Sequence, residues 1–206
     1  MEAGSRPRAV AMRLQPGGTQ LRLGSHNVCG LVSPGRAQAA ADAWRRLRFD
    51  VVFIQETHIT GAALPRLEEE LRGFGWAVYV APTCTAAGGA AIAIRIDLEG
   101  GALVVDRASL HRAADGRLLH FLAQWGGHKL QLASIYMPNE PIAQRAFIGD
   151  RLVPLAAAAC GVEMLWGGTS ILSRTSSWIV CVGEWGRAMR RSREWRRCGG
   201  GSWGAP

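Results

Sequence analysis

The alternation of apolar and polar positions predicts a strand, a helix and a second strand in the first quarter of the chain. Leu21 and Leu23 alternate with polar neighbours, which is typical of a strand, and this strand ends at Asn27. Ser33 followed by a proline is typical of a helix N-cap, and five residues then follow at helical spacing: Ala37, Ala40, Ala41, Trp44 and Leu47. The apolar run of residues 51–54 predicts a buried strand ending at Gln55, Glu56 and Thr57.

The remaining pattern predicts two helices and six strands up to residue 166. An amphipathic helix spans residues 64–71, and a second helix runs from Pro141 to about Ala159. Between them, five strands are separated by turn residues: WAVYVAP, GGAAIAIRID, GALVVDRASLH, RLLHFLAQW and KLQLASIYMPN. The last apolar strand covers residues 162–166. This order of elements predicts an α/β fold, a sandwich of two sheets with helices outside.

The two ends of the chain do not follow this pattern. Residues 1–18 carry Gly, Pro and Arg without periodicity, which predicts a loose arm. Residues 169–206 combine tryptophans, glycines and an arginine cluster, again without a sustained period. The regular domain is therefore expected to span residues 19–168.

Composition and charge restrict the functional classes. A chain of 206 residues suits one domain, and no apolar run approaches a membrane span. Five cysteines without a CxxC pair argue against a disulfide scaffold or a zinc site and favour a reducing, intracellular compartment. The net charge of +8 lies mostly in residues 169–206, where seven arginines and two glutamates give +5. RAMRRSREWRR in this segment is a candidate nuclear-localisation or nucleic-acid patch.

Polar side chains stand at the ends of three predicted strands, at Asn27, at Glu56 with Thr57, and at Tyr136 with Asn139. A buried strand fixes a carboxylate at the rim of its sheet, where an oxygen can bind a metal ion. Each residue alone is more often a turn former or a solvated rim residue. His111, His120 and His128 have no metal-ligand spacing and are expected to have surface or packing roles.

Taken together, four motifs carry a specific resemblance. SHNVCGL, FIQETHI, GGAAIAI and IYMPN…RAFIGDRL stand in one order along residues 20–168. This part of the chain resembles the endonuclease/exonuclease/phosphatase superfamily, in particular exodeoxyribonuclease III-like apurinic endonucleases and LINE-type retrotransposon endonuclease domains. The resemblance implies a four-layer α/β sandwich with two mixed sheets flanked by helices. His26 departs from the motif, which commonly has an aromatic residue there.

The resemblance also implies a chemistry and a set of site residues. Glu56 would be the carboxylate that binds Mg²⁺, or Mn²⁺ in its place. Asn27 would orient the phosphate or a metal-bound water, and Tyr136 and Asn139 would contact the scissile phosphate. His58 would contact the nucleic-acid backbone. The implied partner is DNA, as an abasic or nicked duplex, with no membrane and no obligate protein partner, and the expected location is intracellular and nuclear.

The later motifs of the family have no match in this chain. After the strand of residues 162–166 the resemblance requires Gly-Asp-Phe-Asn, and later a second aspartate and a histidine. At this point the chain has GGTSIL. Gly-Thr-Ser-Ile-Leu can be written GGG ACT TCA ATC CTG, and reading from the last base of the glycine codon gives Asp-Phe-Asn-Pro. We therefore expect a one-base frame change near Gly168, an incomplete domain, and a poorly ordered, aberrant tail over residues 169–206.

Three functional readings follow from these observations. The first is a Mg²⁺-dependent DNA nuclease domain, truncated and catalytically impaired. The second is a non-catalytic, retrotransposon-derived remnant or nucleic-acid-binding fragment. The third is a phosphatase relative that acts on inositol or lipid phosphates, which QETH and YMPN disfavour. Loss of the late strands is also expected to leave an unpaired sheet edge and poor solubility.

Overall fold

The structure is a computed structural model that describes residues 10–14, 20–84, 88–159, 162–170 and 176–182. For residues 10–14, 169–170 and 176–182 only the backbone is described. Ten strands are described: β1 (Val10–Leu14), β2 (Leu21–Asn27), β3 (Val51–Gln55), β4 (Trp76–Ala81), β5 (Ala90–Arg95), β6 (Leu103–Arg112), β7 (Leu118–Trp125), β8 (His128–Tyr136), β9 (Glu163–Ser170) and β10 (Ser176–Val182).

The helices are α1 (Arg36–Arg46), α2 (Leu64–Gly73), α3 (Pro141–Phe147) and α4 (Val153–Ala158). A short 3₁₀ turn (Gly61–Ala63) precedes α2, and a π-helical turn (Ile148–Leu152) joins α3 to α4. The helix predicted from Pro141 to about Ala159 is thus one helical segment with a π-helical interruption. The predicted cap at Ser33 is wrong, because the N-cap of α1 is Gly35, which has a left-handed conformation and no side chain that could accept a backbone hydrogen bond.

Two five-stranded mixed sheets form the centre of the fold. The first sheet has the order β1-β2-β3-β5-β4, and the second has the order β10-β9-β8-β7-β6. Among the described strand pairs, β2 and β3 are parallel in the first sheet, and β8 and β9 are parallel in the second. All other described pairs are antiparallel. β3 contributes a fully buried run, as expected for a strand covered on both faces.

Three apolar clusters separate four layers. The first lies between the sheets and includes Phe53, Ile92, Phe121 and Leu132. The second packs α1 and α2 against the outer face of the first sheet around Trp44. The third packs α3 and α4 against the outer face of the second sheet. The predicted four-layer sandwich of two mixed sheets flanked by helices is therefore confirmed.

Two strands lie in segments that the sequence pattern predicts to have no regular structure. Residues 10–14, part of the predicted loose arm, form β1 and pair antiparallel with β2. β9 continues to Ser170, four residues beyond its predicted end, and β10 follows within the predicted aberrant tail and pairs with β9. These described residues take strand form through backbone pairing with distant strands, and the low order expected for the two segments stays a prediction. The rest of both segments lies outside the described residues.

Candidate active site at the joined ends of the two sheets

The ends of four strands meet at one rim of the sandwich. β2 and β3 run parallel with Asn27 opposite Gln55, and β8 and β9 run parallel with Tyr136 opposite Thr169. A buried hydrogen bond of 3.4 Å from Ser25 Oγ to the Gly168 carbonyl joins the ends of β2 and β9. The strand ends that carry the predicted site residues therefore converge where the two sheets are connected.

A buried polar network makes this connection rigid. Gln55 is fully buried, accepts a hydrogen bond from Ser25 Oγ at 3.3 Å and donates one to Ser134 Oγ at 3.4 Å. Ser134 Oγ in turn donates to the Ile54 carbonyl at 2.9 Å. Because unpaired polar groups are costly in an interior, a satisfied network of this kind fixes the relative position of β2, β3 and β8. Polar residues within apolar runs were the signal for it in the sequence.

Glu56 directly follows β3 in an unusual backbone conformation. Its φ is +56°, and Cys29 and His58 also have positive φ values, of +47° and +55°. Left-handed conformations are costly for residues other than glycine, and they cluster at functional sites. Three of the four non-glycine residues with positive φ among those described stand in the two loops that carry the SHNVCGL and FIQETHI motifs.

Hydrogen bonds from neighbouring loops maintain this conformation. The Glu56 carbonyl accepts from the Gly30 amide at 2.6 Å, and the His58 amide donates to the Gly88 carbonyl at 2.9 Å. The Thr57 amide donates to the Gly89 carbonyl at 3.2 Å. A Cβ on Gly89 would collide with Thr57 Oγ1, and one on Gly88 would lie 3.4 Å from the Tyr136 ring. The glycine pair before AIAI therefore allows β5 to approach the Glu56 loop closely.

The Glu56 carboxylate is the centre of a small cluster with Tyr136 and Cys29. Burial raises the pKa of the Tyr136 hydroxyl, and the charge of Glu56 and a hydrogen bond to it act in the same direction. Burial also raises the pKa of the Cys29 thiol, with a further contribution from Glu56. The tyrosine therefore stays protonated at neutral pH and can donate a hydrogen bond.

The other predicted site residues differ in their relation to this cluster. Asn27 Oδ1 accepts the Cys29 amide at 3.1 Å, so the Asn27 side chain is oriented within the same loop. His58 is partly buried, and its ring lies beside Gly30, where a Cβ would be 3.2 Å from Nδ1. Asn139 lies exposed in a bend three residues after β8, and no described contact joins it to Glu56. The structure thus brings Asn27, Glu56 and Tyr136 together at one rim of the sandwich.

Two residues at the candidate site, Cys29 of the cluster and Arg117 beside it, were not among those predicted from the sequence. Cys29 lies within the recognised SHNVCGL motif, but its contact with Glu56 depends on the fold of both loops. The guanidinium carbon of Arg117 lies 5.1 Å from the centre of the Tyr136 ring. Only the preceding turn signal, Ala114-Asp115-Gly116, marked this position in the sequence.

The donor set at Glu56 fits a hard divalent cation. The side chain is partly exposed, which leaves the carboxylate open to an ion. Mg²⁺ prefers oxygen ligands and keeps several waters, so one carboxylate with a substrate phosphate can be enough to bind it. Among the described residues, no three His, Cys, Asp or Glu side chains are grouped so as to hold a metal ion.

Three other described histidines pack against neighbouring aromatic or imidazole rings. His26 is buried, and its Nδ1 accepts the Trp44 indole N–H at 2.9 Å. His111 and His120 stack across β6 and β7 with ring centres 4.8 Å apart, beside an open cleft of about 570 Å³. No helix in the described part of the chain is long and apolar enough to cross a membrane.

Comparisons with known proteins find likeness at the level of structure. No family profile and no curated protein matches the sequence. Humanized D. rerio TDP2 matches with a TM-score of 0.53 and 19% identity over 72% of this chain and 61% of that chain. D. rerio TDP2 complexed with single strand DNA product matches with 0.52 and 20% identity, over 72% and 59% of the two chains.

The human Nocturnin catalytic domain with bound sulfate anion matches with a TM-score of 0.56 and 12% identity, over 79% of this chain and 66% of that chain. In the two TDP2 matches, this chain covers about three fifths of the length of the TDP2 chain. Identities this low show the fold and nothing finer. The chain therefore shares its fold with these solved structures, and this fold is the α/β sandwich that the sequence resemblance implied.

Proposed function

We propose that this chain is a Mg²⁺-dependent DNA phosphodiesterase domain of the exodeoxyribonuclease III and apurinic-endonuclease type, with impaired cleavage. One observation carries the proposal: at the rim where the strand ends meet, Glu56 follows β3 of one sheet and Tyr136 ends β8 of the other, close enough for the carboxylate to raise the pKa of the hydroxyl. The similar D. rerio TDP2 structure that holds a single strand DNA product supports DNA as the partner.

Each residue of the cluster has a role in phosphodiester chemistry. Glu56 would hold Mg²⁺, or Mn²⁺, which neutralises the charge that develops on the phosphate and on the leaving oxygen. The protonated Tyr136 hydroxyl would donate to a phosphate oxygen, and the Asn27 amide would orient the same group. Asn139 and His58 would contact the phosphate and the backbone of the DNA from the adjoining loops.

The end of β9 is the reason to expect impaired cleavage. Thr169 stands opposite Tyr136 in the parallel pair of β8 and β9. The sequence resemblance requires an aspartate directly after the Gly168 position to align the attacking water, and threonine has no basic group for that task. General acid–base assistance contributes roughly 10²–10⁴-fold to such reactions.

Thr169 also favours a second candidate function, namely DNA binding without cleavage. A site that keeps the carboxylate and the phosphate donors but lacks the base would retain a DNA strand and its metal ion. In that case the domain acts as a nucleic-acid-binding module. The two functions differ in turnover and share the same binding residues.

The test measures binding and cleavage by the purified chain on duplex DNA with an abasic site. We expect Mg²⁺ to strengthen DNA binding, and we expect no measurable nicking. Glu56→Gln should abolish the Mg²⁺-dependent gain in affinity, whereas the matched control Glu69→Gln, an exposed residue of α2, should keep it.

Three outcomes would contradict parts of the proposal. Robust nicking that Glu56→Gln removes would show that cleavage is not impaired. Equal Mg²⁺ dependence in wild type and Glu56→Gln would remove the metal role of Glu56. Displacement of DNA by an inositol polyphosphate at much lower concentration would favour a phosphatase relative.

A further inference from the structure

Arg117 places a positive charge at the candidate site, and no carboxylate in the described part of the chain pairs with it. Its guanidinium carbon lies 5.1 Å from the Tyr136 ring centre. Among the described residues, its side chain takes part in none of the ion pairs, and its Nη1 atom is buried with no hydrogen-bond partner. An unpaired guanidinium nitrogen in an interior is costly, so this donor is suited to an anionic group that binds from outside.

The turn that carries Arg117 is tied to both sheets. The Gly116 carbonyl accepts the Ala90 amide of β5 at 2.8 Å, and the Arg117 carbonyl accepts the Tyr136 amide of β8 at the same distance. The Gly116 amide also donates to the Ala113 carbonyl at 2.9 Å. Arg117 is therefore held by the backbone at a fixed position beside Tyr136, which is the preorganisation that a binding residue needs.

The nearest acid of the same turn is already engaged. Asp115 Oδ1 accepts the Arg117 backbone amide at 3.1 Å and an N–H of Arg151 at 3.0 Å. The Arg117 guanidinium group therefore keeps its charge available for another anion. This charge acts on Tyr136. Arg117 lowers the pKa of the Tyr136 hydroxyl and so partly offsets the increase caused by burial and by Glu56.

We propose that Arg117 binds a phosphate group of the substrate backbone together with the Tyr136 hydroxyl, which deepens the proposed function and rests on it. Rotation about the terminal bonds of the partly exposed side chain would turn Nη1 from its buried position toward a phosphate oxygen. The phosphate then supplies the acceptor that Nη1 lacks. A planar guanidinium group suits this task because it can donate two parallel hydrogen bonds to one phosphate.

The first test observes Arg117 directly, without metal and without turnover. The N–H resonance of its Nε is identified by its loss in Arg117→Lys and, independently, in Arg117→Gln. Titration of the full chain with inorganic phosphate at constant ionic strength should shift this resonance saturably, and chloride should not. A resonance that phosphate leaves unchanged would overturn the proposal.

The second test measures the salt dependence of single-stranded DNA binding in EDTA. Loss of one phosphate contact lowers the slope of log affinity against log salt by about 0.7 for single strands. Arg117→Gln should show this decrease, Arg117→Lys should keep most of the slope, and Arg72→Gln should match wild type. Arg72 is an exposed arginine at the other end of the first sheet, in the last turn of α2.

The outcomes of these tests distinguish a failure of the Arg117 proposal from a failure of the proposed function. Equal slopes for Arg117→Gln and Arg72→Gln would contradict phosphate binding by Arg117, even if the chain binds or cleaves DNA. A phosphate-dependent shift together with the expected change in slope would support Arg117, even if Glu56→Gln leaves Mg²⁺-dependent binding intact. In the latter case the metal role fails and the phosphate contact remains.

Discussion

His26 shows how one residue links the sequence to the stability of the site. It lies on β2 next to Asn27, and it is buried with its Nδ1 accepting the Trp44 indole N–H. Trp44 in turn packs edge-on against Trp76 beneath the first sheet. The imidazole therefore replaces the aromatic residue expected from the motif and also gives a buried indole its acceptor, which it can do only in the neutral form.

This arrangement predicts acid sensitivity. Burial lowers the pKa of His26 to about 4, whereas the same side chain in the unfolded protein has its ordinary pKa of 6.5. Above pH 6.5 the residue is neutral in both states. Between pH 6.5 and 4 the unfolded chain binds a proton that the folded chain does not, so stability falls as the pH falls, by up to about 3 kcal/mol.

The measurement is the free energy of urea unfolding at pH 7, 6 and 5 for wild type and His26→Asn. Asn Oδ1 can replace Nδ1 as the acceptor of the Trp44 N–H but does not titrate. We expect the variant to lose less stability than wild type on acidification. Parallel losses in the two proteins would show that other groups cause the acid sensitivity.

The candidate site was predictable from the sequence where a residue and its role lie in one motif. Glu56, Asn27 and Tyr136 were named from strand ends and resemblance, and the described contacts now place Glu56 with Tyr136 and Asn27 with Cys29. Arg117 could not be found in this way, because it reaches Tyr136 through a turn 19 residues earlier in the chain. Its relevance depends on pairing between β7 and β8, which local patterns do not specify.

At the level of elements, β9 approaches β3 at Gly167. A Cβ at this position would lie well inside van der Waals contact of the Phe53 side chain. Phe53 is fully buried in the cluster between the sheets, so it has little room to move. The absence of a side chain at Gly167 therefore determines how closely the two sheets pack beside the Ser25–Gly168 hydrogen bond.

Gly167→Ala is accordingly predicted to destabilise the fold. Overpacking of a filled core typically costs about 1–3 kcal/mol. Gly73→Ala, at the end of α2, is the matched control, since nothing lies within 4 Å of its Cβ position and alanine favours helix. Thermal unfolding should give a lower midpoint for Gly167→Ala and an equal or higher one for Gly73→Ala. A neutral effect at Gly167 would mean that the sheets can separate locally.

Sequence patterns predicted most elements but missed β1 and β10. Strands such as β3 and β8 carry enough apolar residues to be recognised alone. β1 is short and lies in a segment rich in glycine, proline and arginine, so its strand form depends on antiparallel pairing with β2. The end of β9 was misplaced for the same reason, because pairing with β8 and β10 continues through GGTS.

At the level of the whole molecule, β1 and β10 end the two sheets on the same side. β1 pairs with β2, and β10 pairs with β9 through seven residue pairs from Ser176 opposite Ser170 to Val182 opposite Met164. Without β10, the backbone of β9 would present unpaired hydrogen-bonding groups at the edge of the second sheet. Exposed edges of this kind favour association between chains.

The contribution of the segment after Ser170 can be measured with three chain lengths: 1–206, 1–184 and 1–170. If β10 stabilises the second sheet, the 1–184 chain should unfold at nearly the same temperature as the full chain. The 1–170 chain should unfold at a lower temperature and form larger species at high concentration, because β9 then becomes an edge strand. If the segment is instead an out-of-frame translation without a structural role, all three chains should unfold alike. Equal midpoints would therefore contradict a stabilising role for β10, whereas a loss confined to the 1–170 chain would assign that role to residues 171–184, whatever reading frame encodes them.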